Sequence, residues 1–114
     1  VDPREVDLDR MRSAAQHFIG EHDFSAFCAN KKMKKSTVRT IKSFTVELMG
    51  EEIVFTVTGN GFLHNMVRIL VGTLVEVGRG ERAADSIPAL FGAKREQAGF
   101  LAPGKGLCLM EVRY

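Results

Sequence analysis

The sequence predicts a single α+β domain spanning residues 1–114, with a mainly antiparallel sheet and helices packed on one of its faces. Three observations lead to this prediction. The chain has 114 residues of which 45% are hydrophobic, enough to bury one core. Helical and strand-like apolar periodicities occupy separate segments, in the order helix, strand, strand, helix, short helix, strand. Short links join these segments, as is typical of folds whose helices and strands are segregated along the chain.

The N-terminal segment predicts an amphipathic helix followed by an aromatic turn. Apolar residues recur at helical spacing over 10–19, namely Met11, Ala14, Ala15 and Phe18. Asp9 is placed to cap the start of this helix and Gly20 to end it. The close spacing of Phe24 and Phe27 then suits a short turn that buries two phenyl rings.

A β-hairpin is predicted next. Residues 36–48 are rich in β-branched and apolar side chains, which alternate with polar ones most clearly from Lys42 onward. Residues 49–52 form a turn, and 53–58 read as the partner strand. Gly59, Asn60 and Gly61 end that strand where positive φ is easiest.

A second helix is predicted over 62–77. Its buried face consists of Met66, Val67, Leu70, Val71, Leu74 and Val77, and the opposite stripe consists of His64, Asn65, Arg68, Gly72 and Glu76. No acidic residue lies three or four positions from Arg68, so its guanidinium must reach water, a distant carboxylate or a ligand. Gly72 costs about 1 kcal/mol relative to alanine in a helix. Two explanations are open: a backbone or a ligand approaches closely at this position, or the helix is tightly packed there.

The C-terminal part predicts a short helix and a closing strand. Residues 83–91 suit a short helix, which Pro88 limits or kinks. Residues 107–114 suit the strand that completes the sheet.

Several classes of protein are disfavoured. Cys28 and Cys108 form neither a disulfide framework nor a CxxC pair, so they are expected to pack as small apolar residues in a cytoplasmic protein. The three histidines lack partners at metal-ligand spacing, and no metal site is predicted. No apolar run approaches the roughly 20 residues of a membrane span, and no signal peptide is predicted.

The charge is concentrated in one basic segment. Residues 24–46 contain six basic side chains and no acidic one: Lys31, Lys32, Lys34, Lys35, Arg39 and Lys42. Clustered Lys and Arg are typical of phosphate contacts in nucleic-acid binding. A solvated loop that keeps the protein soluble explains the same pattern.

Several segments together resemble the C-terminal domain of the tRNA pseudouridine synthase A family. They are GFLHNMVR at 61–68, VGTL at 71–74, EVG at 76–78, AG at 98–99, AP at 102–103 and GL at 106–107. FIGEHDFSAF at 18–27 and VRTI at 38–41 also match, so the resemblance covers nearly the whole chain.

This resemblance implies a cofactor-free isomerase that converts uridine to pseudouridine in the anticodon stem-loop of tRNA. The family's nucleophile is an aspartate of an Arg-Thr-Asp motif, and Arg68 matches the arginine that holds this carboxylate by an ion pair. Leu107 matches the leucine that lines the uracil pocket. The resemblance further implies a homodimer with a basic cleft, in which the basic segment contacts phosphates and His64 and Asn65 lie near the flipped nucleotide.

The chain contains no Arg-Thr-Asp run. We therefore expect the catalytic aspartate to belong to an N-terminal domain outside these residues, and this chain alone to be inactive. The alternatives are a non-catalytic RNA-binding module and a dimerisation domain. An RNA-binding module of the RNP type would have exposed aromatic side chains on its sheet, within a characteristic sequence motif. This sequence lacks that motif.

Overall fold

The computed structural model describes residues 5–28, 36–63, 65–93, 95–99 and 108–113 and confirms the α+β class. Its helices and strands are α1 (Leu8–Gln16), β1 (Gly20–Asp23), β2 (Val38–Met49), β3 (Glu52–Gly59), α2 (Met66–Gly78) and β4 (Cys108–Arg113). Three short 3₁₀ helices connect them, at Ser25–Phe27, Ala84–Leu90 and Arg95–Gln97. None of the helices within the described ranges is long and apolar enough to cross a membrane.

The four strands form one sheet in the order β1-β2-β3-β4. The predicted hairpin is confirmed: β2 and β3 pair antiparallel, with Phe44 opposite Val57. A register shift between Ile41 and Ser43 interrupts this pairing. The closing strand β4 pairs parallel to β3, with Cys108 opposite Ile53. Parallel neighbours need a crossover connection, and α2 with the two following 3₁₀ helices provides it.

One hydrophobic core joins the helices to one face of the sheet. Along β3, buried residues alternate with exposed or half-buried ones, as expected for a sheet covered on one side. The helix α1 packs against α2 where Gly78 leaves room for the side chain of Met11, and the Asp7 amide donates to the Gly78 carbonyl at 2.8 Å. Arg12 fastens α1 to the sheet, since its Nε donates to the Val46 carbonyl at 2.8 Å.

The structure corrects the predicted bounds of the first helix. Its N-cap is Asp7 and not Asp9, because the Asp7 carboxylate accepts the Arg10 amide at 3.2 Å. The helix ends at Gln16. Gly20 adopts φ +110° but opens β1, so the segment predicted as an aromatic turn begins with an edge strand that pairs with the start of β2. A strand of four residues is too short to show a clear alternation of apolar and polar residues in the sequence.

The second helix is shorter and more deeply buried than predicted. It begins at Met66 and not near residue 62, because Asn65 adopts a left-handed backbone that a helix cannot continue through. Ten of its thirteen residues are buried, including Gly72, which the sequence placed on the outer stripe. A helix that is apolar on nearly all sides is buried on nearly all sides. The predicted short helix is 3₁₀, with Pro88 inside it.

Candidate functional site

Arg68 lies in the first turn of α2 and is one of only three residues of that helix that are not buried; the others are Val67 and Glu76. The Glu76 carboxylate lies near the other end of the helix, where its Oε1 is 3.1 Å from Nη2 of Arg82. The first turn is the positive end of the helix dipole, where a cation is unfavourable by about 0.3–1 kcal/mol. Arg68, which is half-buried as a residue, therefore lies at a helix end where an anion would be favoured.

The residue before α2, Asn65, has a strained backbone. Its φ of +59° is the only positive value for a non-glycine residue in the part of the chain that the structure describes. The surrounding turn holds it in place: the Met66 amide donates to the Leu63 carbonyl at 3.0 Å, and the Ile69 amide donates to the Asn65 carbonyl at 3.1 Å. Asparagine tolerates this region better than most residues, and such strain clusters at functional sites.

The loop before α2 is fastened to the start of β2. Asn60 and Thr40 exchange two hydrogen bonds: the Asn60 amide donates to the Thr40 carbonyl at 3.1 Å, and the Thr40 amide donates to Asn60 Oδ1 at 3.0 Å. These bonds fix the loop that carries Asn65 relative to the sheet.

Arg39 lies beside the same loop. Its Cδ and Nε would be 3.8 Å from a Cβ atom added to Gly61. Its Nη1 donates to the carbonyls of Ser36 and Val38, at 2.6 and 2.7 Å. The structure thus brings the predicted phosphate-contacting arginine to the loop that leads into the helix of Arg68.

Six other predicted site residues lie outside the residues that the structure describes: Lys31, Lys32, Lys34, Lys35, His64 and Leu107. Lys42, the last residue of the basic segment, is exposed on β2 at the irregularity in its pairing with β3.

The other polar residues near the aromatic core have structural roles. Asp23 Oδ1 accepts the Ser25 amide at 3.1 Å and the Thr37 hydroxyl at 2.5 Å. The His22 ring stacks on Phe91 with 3.9 Å between centroids and 5° between planes. Cys28 is buried in the core, as predicted. Among the described residues, no group of three or more His, Cys, Asp or Glu side chains is arranged to hold a metal ion.

Thr73, in the middle of α2, is a residue that was not predicted from the sequence to have a role. Its side chain is fully buried and bonds to both Ile69 and Gly99. The available signal was a hydroxyl within an otherwise apolar run, because a buried hydroxyl normally has a hydrogen-bond partner.

Comparison with known proteins identifies the family. Residues 14–114 match the model of a family described as tRNA pseudouridine synthase. The chain is 49% identical over 110 residues to tRNA pseudouridine synthase A of Geotalea uraniireducens and also to that of Brevibacillus brevis. It is 48% identical over 113 residues to tRNA pseudouridine synthase A 1 of Bacillus cereus. These alignments cover 96%, 96% and 98% of this chain but only 45%, 45% and 46% of the relatives, so the chain spans less than half of their length.

Fold and site together define a class of protein: an α+β domain that presents an arginine from the first turn of a buried helix, beside a loop fastened to the sheet. The sequence matches identify the family to which this domain belongs. The chain belongs to the tRNA pseudouridine synthase family, whose members are isomerases.

Proposed function

We propose that this chain is the C-terminal half of a tRNA pseudouridine synthase that isomerises uridine to pseudouridine in the anticodon stem-loop of tRNA. The parent protein is proposed to act in the cytoplasm as a homodimer, without a cofactor. The family assignment and the coverage of less than half of the relatives' length support this proposal. The placement of Arg68 is the observation that carries it.

Arg68 is proposed to hold the nucleophilic aspartate of the parent enzyme. A guanidinium in a half-buried site binds a carboxylate with two parallel hydrogen bonds, which both orient the carboxylate and keep it ionised for attack. The aspartate would come from the remainder of the parent, because this chain has no Arg-Thr-Asp run. The buried body of α2 fixes the position of Arg68, since the residues that follow it, Ile69 and Leu70, are fully buried.

The reaction is an isomerisation with no net oxidation or reduction. The bond between the ribose and a uracil nitrogen breaks, the base rotates, and a bond from the ribose to a uracil carbon forms. That carbon loses its proton and the released nitrogen gains one, so the atoms balance. Leu107 is proposed to line the uracil pocket and to exclude water from it. His64 and Asn65 are proposed to lie beside the nucleotide once it has left its stack.

The basic segment is proposed to contact the tRNA backbone through Lys31, Lys32, Lys34, Lys35 and Arg39. Contacts of this kind position an RNA without reading its sequence. The position of Arg39 beside the loop before α2 supports a path for the backbone close to Arg68. Binding through these residues should weaken steeply as salt rises, because phosphate contacts release counterions.

The decisive experiment measures pseudouridine formation in an unmodified tRNA transcript by the full-length parent, compared with its Arg68→Met variant. We expect the variant to fold, to bind the tRNA and to lose activity by about 100-fold or more, because it leaves a charged group in the site without its partner. Arg79→Met is the matched control. Arg79 caps the other end of α2 and is exposed, so its loss should leave the rate unchanged.

Two results would contradict the proposal. A parent that binds the transcript but modifies no uridine would favour a non-catalytic RNA-binding module. An active parent whose Arg68→Met and Arg79→Met variants have the same rate would remove Arg68 from the active site. This 114-residue chain, tested alone, should form no pseudouridine.

A further inference from the structure

Thr73 bonds to two segments from inside the core. Its hydroxyl donates to the Ile69 carbonyl at 2.8 Å and accepts the Gly99 amide at 2.9 Å. Among the residues whose side-chain burial the structure describes, it is the only buried polar one. One side chain therefore links the helix of Arg68 to a segment 26 residues further along the chain.

Gly99 crosses α2 at very short range. A Cβ atom at this position would lie 2.5 Å from both the backbone N and Cα of Thr73, so only glycine allows the two backbones to approach this closely. The Gly99 carbonyl is also bonded, since it accepts Nη1 of Arg95 at 2.8 Å. Both polar groups of the Gly99 backbone thus have defined partners, and the segment 95–99 is tied to the middle of α2.

The crossing between Gly99 and Thr73 lies close to Arg68 along α2. Thr73 follows Arg68 by little more than one helical turn, and its hydroxyl bonds to the carbonyl of Ile69, the residue next to Arg68. On the other side, Gly99 belongs to the connection from α2 to β4, whose far end is fixed where Cys108 pairs with Ile53. The crossing therefore sets where residues 95–99 lie relative to the helix that presents the arginine.

We propose that the contact between Thr73 and Gly99 is a positioning junction for catalysis, with Thr73 as its central positioning residue. This inference rests on the proposed function. Thr73 acts through the backbone it holds and does not touch the substrate. Displacements of about 1 Å at a reacting centre lower rates by as much as about 100-fold, so losing the junction should affect turnover more than binding of the RNA.

The test compares Thr73→Val and Thr73→Ser in the full-length parent. Valine has nearly the same shape but cannot bond to Gly99 or Ile69, whereas serine keeps the hydroxyl. We expect Thr73→Val to lower kcat for pseudouridine formation about 10-fold or more, with the Kd for the tRNA transcript unchanged. Thr73→Ser should retain most of the wild-type kcat. Thr45→Val, the same change at an exposed position of β2, is the control and should have no effect.

A second readout does not depend on activity. Hydrogen exchange at the Gly99 amide, followed by NMR, should be slow in the parent and faster by about 10-fold in Thr73→Val, because one buried hydrogen bond is lost. If Thr73→Val does not fold, Arg95→Met tests the junction from the Gly99 side, because it removes the bond to the Gly99 carbonyl. A fall in kcat with an unchanged Kd is then expected, and an unchanged kcat overturns the positioning role.

Each contrary result points to one conclusion. A parent that forms no pseudouridine refutes the proposed function, while Gly99 exchange still reports whether the junction exists. An active parent in which Thr73→Val keeps the wild-type kcat overturns the positioning role. A Thr73→Ser variant as slow as Thr73→Val also overturns it, because the hydroxyl would then not be the group that matters.

Discussion

Replacing Phe18 with alanine should destabilise the domain by about 4 kcal/mol, the middle of the range for removing a fully buried phenyl ring. Phe18 is 0% exposed and lies at the centre of a cluster of rings. Its centroid is 5.3 Å from that of Phe27, 5.9 Å from Phe44, 6.0 Å from Phe91 and 6.5 Å from Phe24. These four neighbouring rings are apolar, so the cavity left by alanine should stay dry.

The leucine variant separates the two contributions to this value. Leucine keeps most of the apolar volume but loses the edge-to-face geometry of the pairs with Phe27 and Phe91, which is worth about 0.5–1.5 kcal/mol per pair. Phe18→Leu should therefore cost about 1–3 kcal/mol. A domain of this size has about 5–15 kcal/mol of stability in total, so the alanine variant should lose a large part of it.

Urea unfolding followed by circular dichroism measures both effects, as a fall in the midpoint at an unchanged m-value. Met49→Ala is the control, since Met49 is 63% exposed and its loss should change stability by less than about 0.5 kcal/mol. A cost below about 2 kcal/mol for Phe18→Ala would refute the assignment of Phe18 to the centre of the core. Equal costs for leucine and alanine would refute the division into volume and ring geometry.

Three further changes have expected costs that the same urea titration measures. Asp7→Ala removes the N-cap of α1 and should cost about 1 kcal/mol; no change would mean that the cap contributes nothing to stability. Gly78→Ala places a Cβ 2.6 Å from Sδ of Met11 and should cost about 1–3 kcal/mol by overpacking, whereas a stabilised variant would show that the helices can move apart freely. Glu76→Gln weakens the partly buried pair with Arg82 and should cost about 1 kcal/mol or more; an unchanged midpoint would show that this pair contributes nothing to stability.

The candidate site was predictable in part because its signals are local. Arg68 stood out from its neighbours in sequence alone, since helical spacing decides which side chains lie within reach of one another. The resemblance to a known family rested on contiguous runs such as GFLHNMVR and was confirmed by the family match. The predicted hairpin already brings Arg39 to the end of the strand that precedes Gly61. The register shift between Ile41 and Ser43 was not predicted, and it decides which residues face each other there.

The errors at the ends of elements have the same origin. Periodicity predicted a helix from residue 62, but the backbone of Asn65 turns left-handed and delays its start to Met66. No side-chain pattern encodes that φ value, which the surrounding turn imposes. Likewise, Gly20 was predicted to end the first helix, but it pairs with Ile41 and is the first residue of β1.

The α+β class, the hairpin, the second helix and the family follow from the amino-acid sequence, because each depends on periodicity or on contiguous residues. Only the folded chain sets that β4 runs parallel to β3, that α2 is buried on nearly all sides, and that Gly99 lies against Thr73. Contacts between distant segments depend on how the whole chain packs around one core. Where two backbones approach as closely as at Gly99, only a residue without a side chain fits. A lone glycine or threonine in a sequence gives no sign of the segment it will meet.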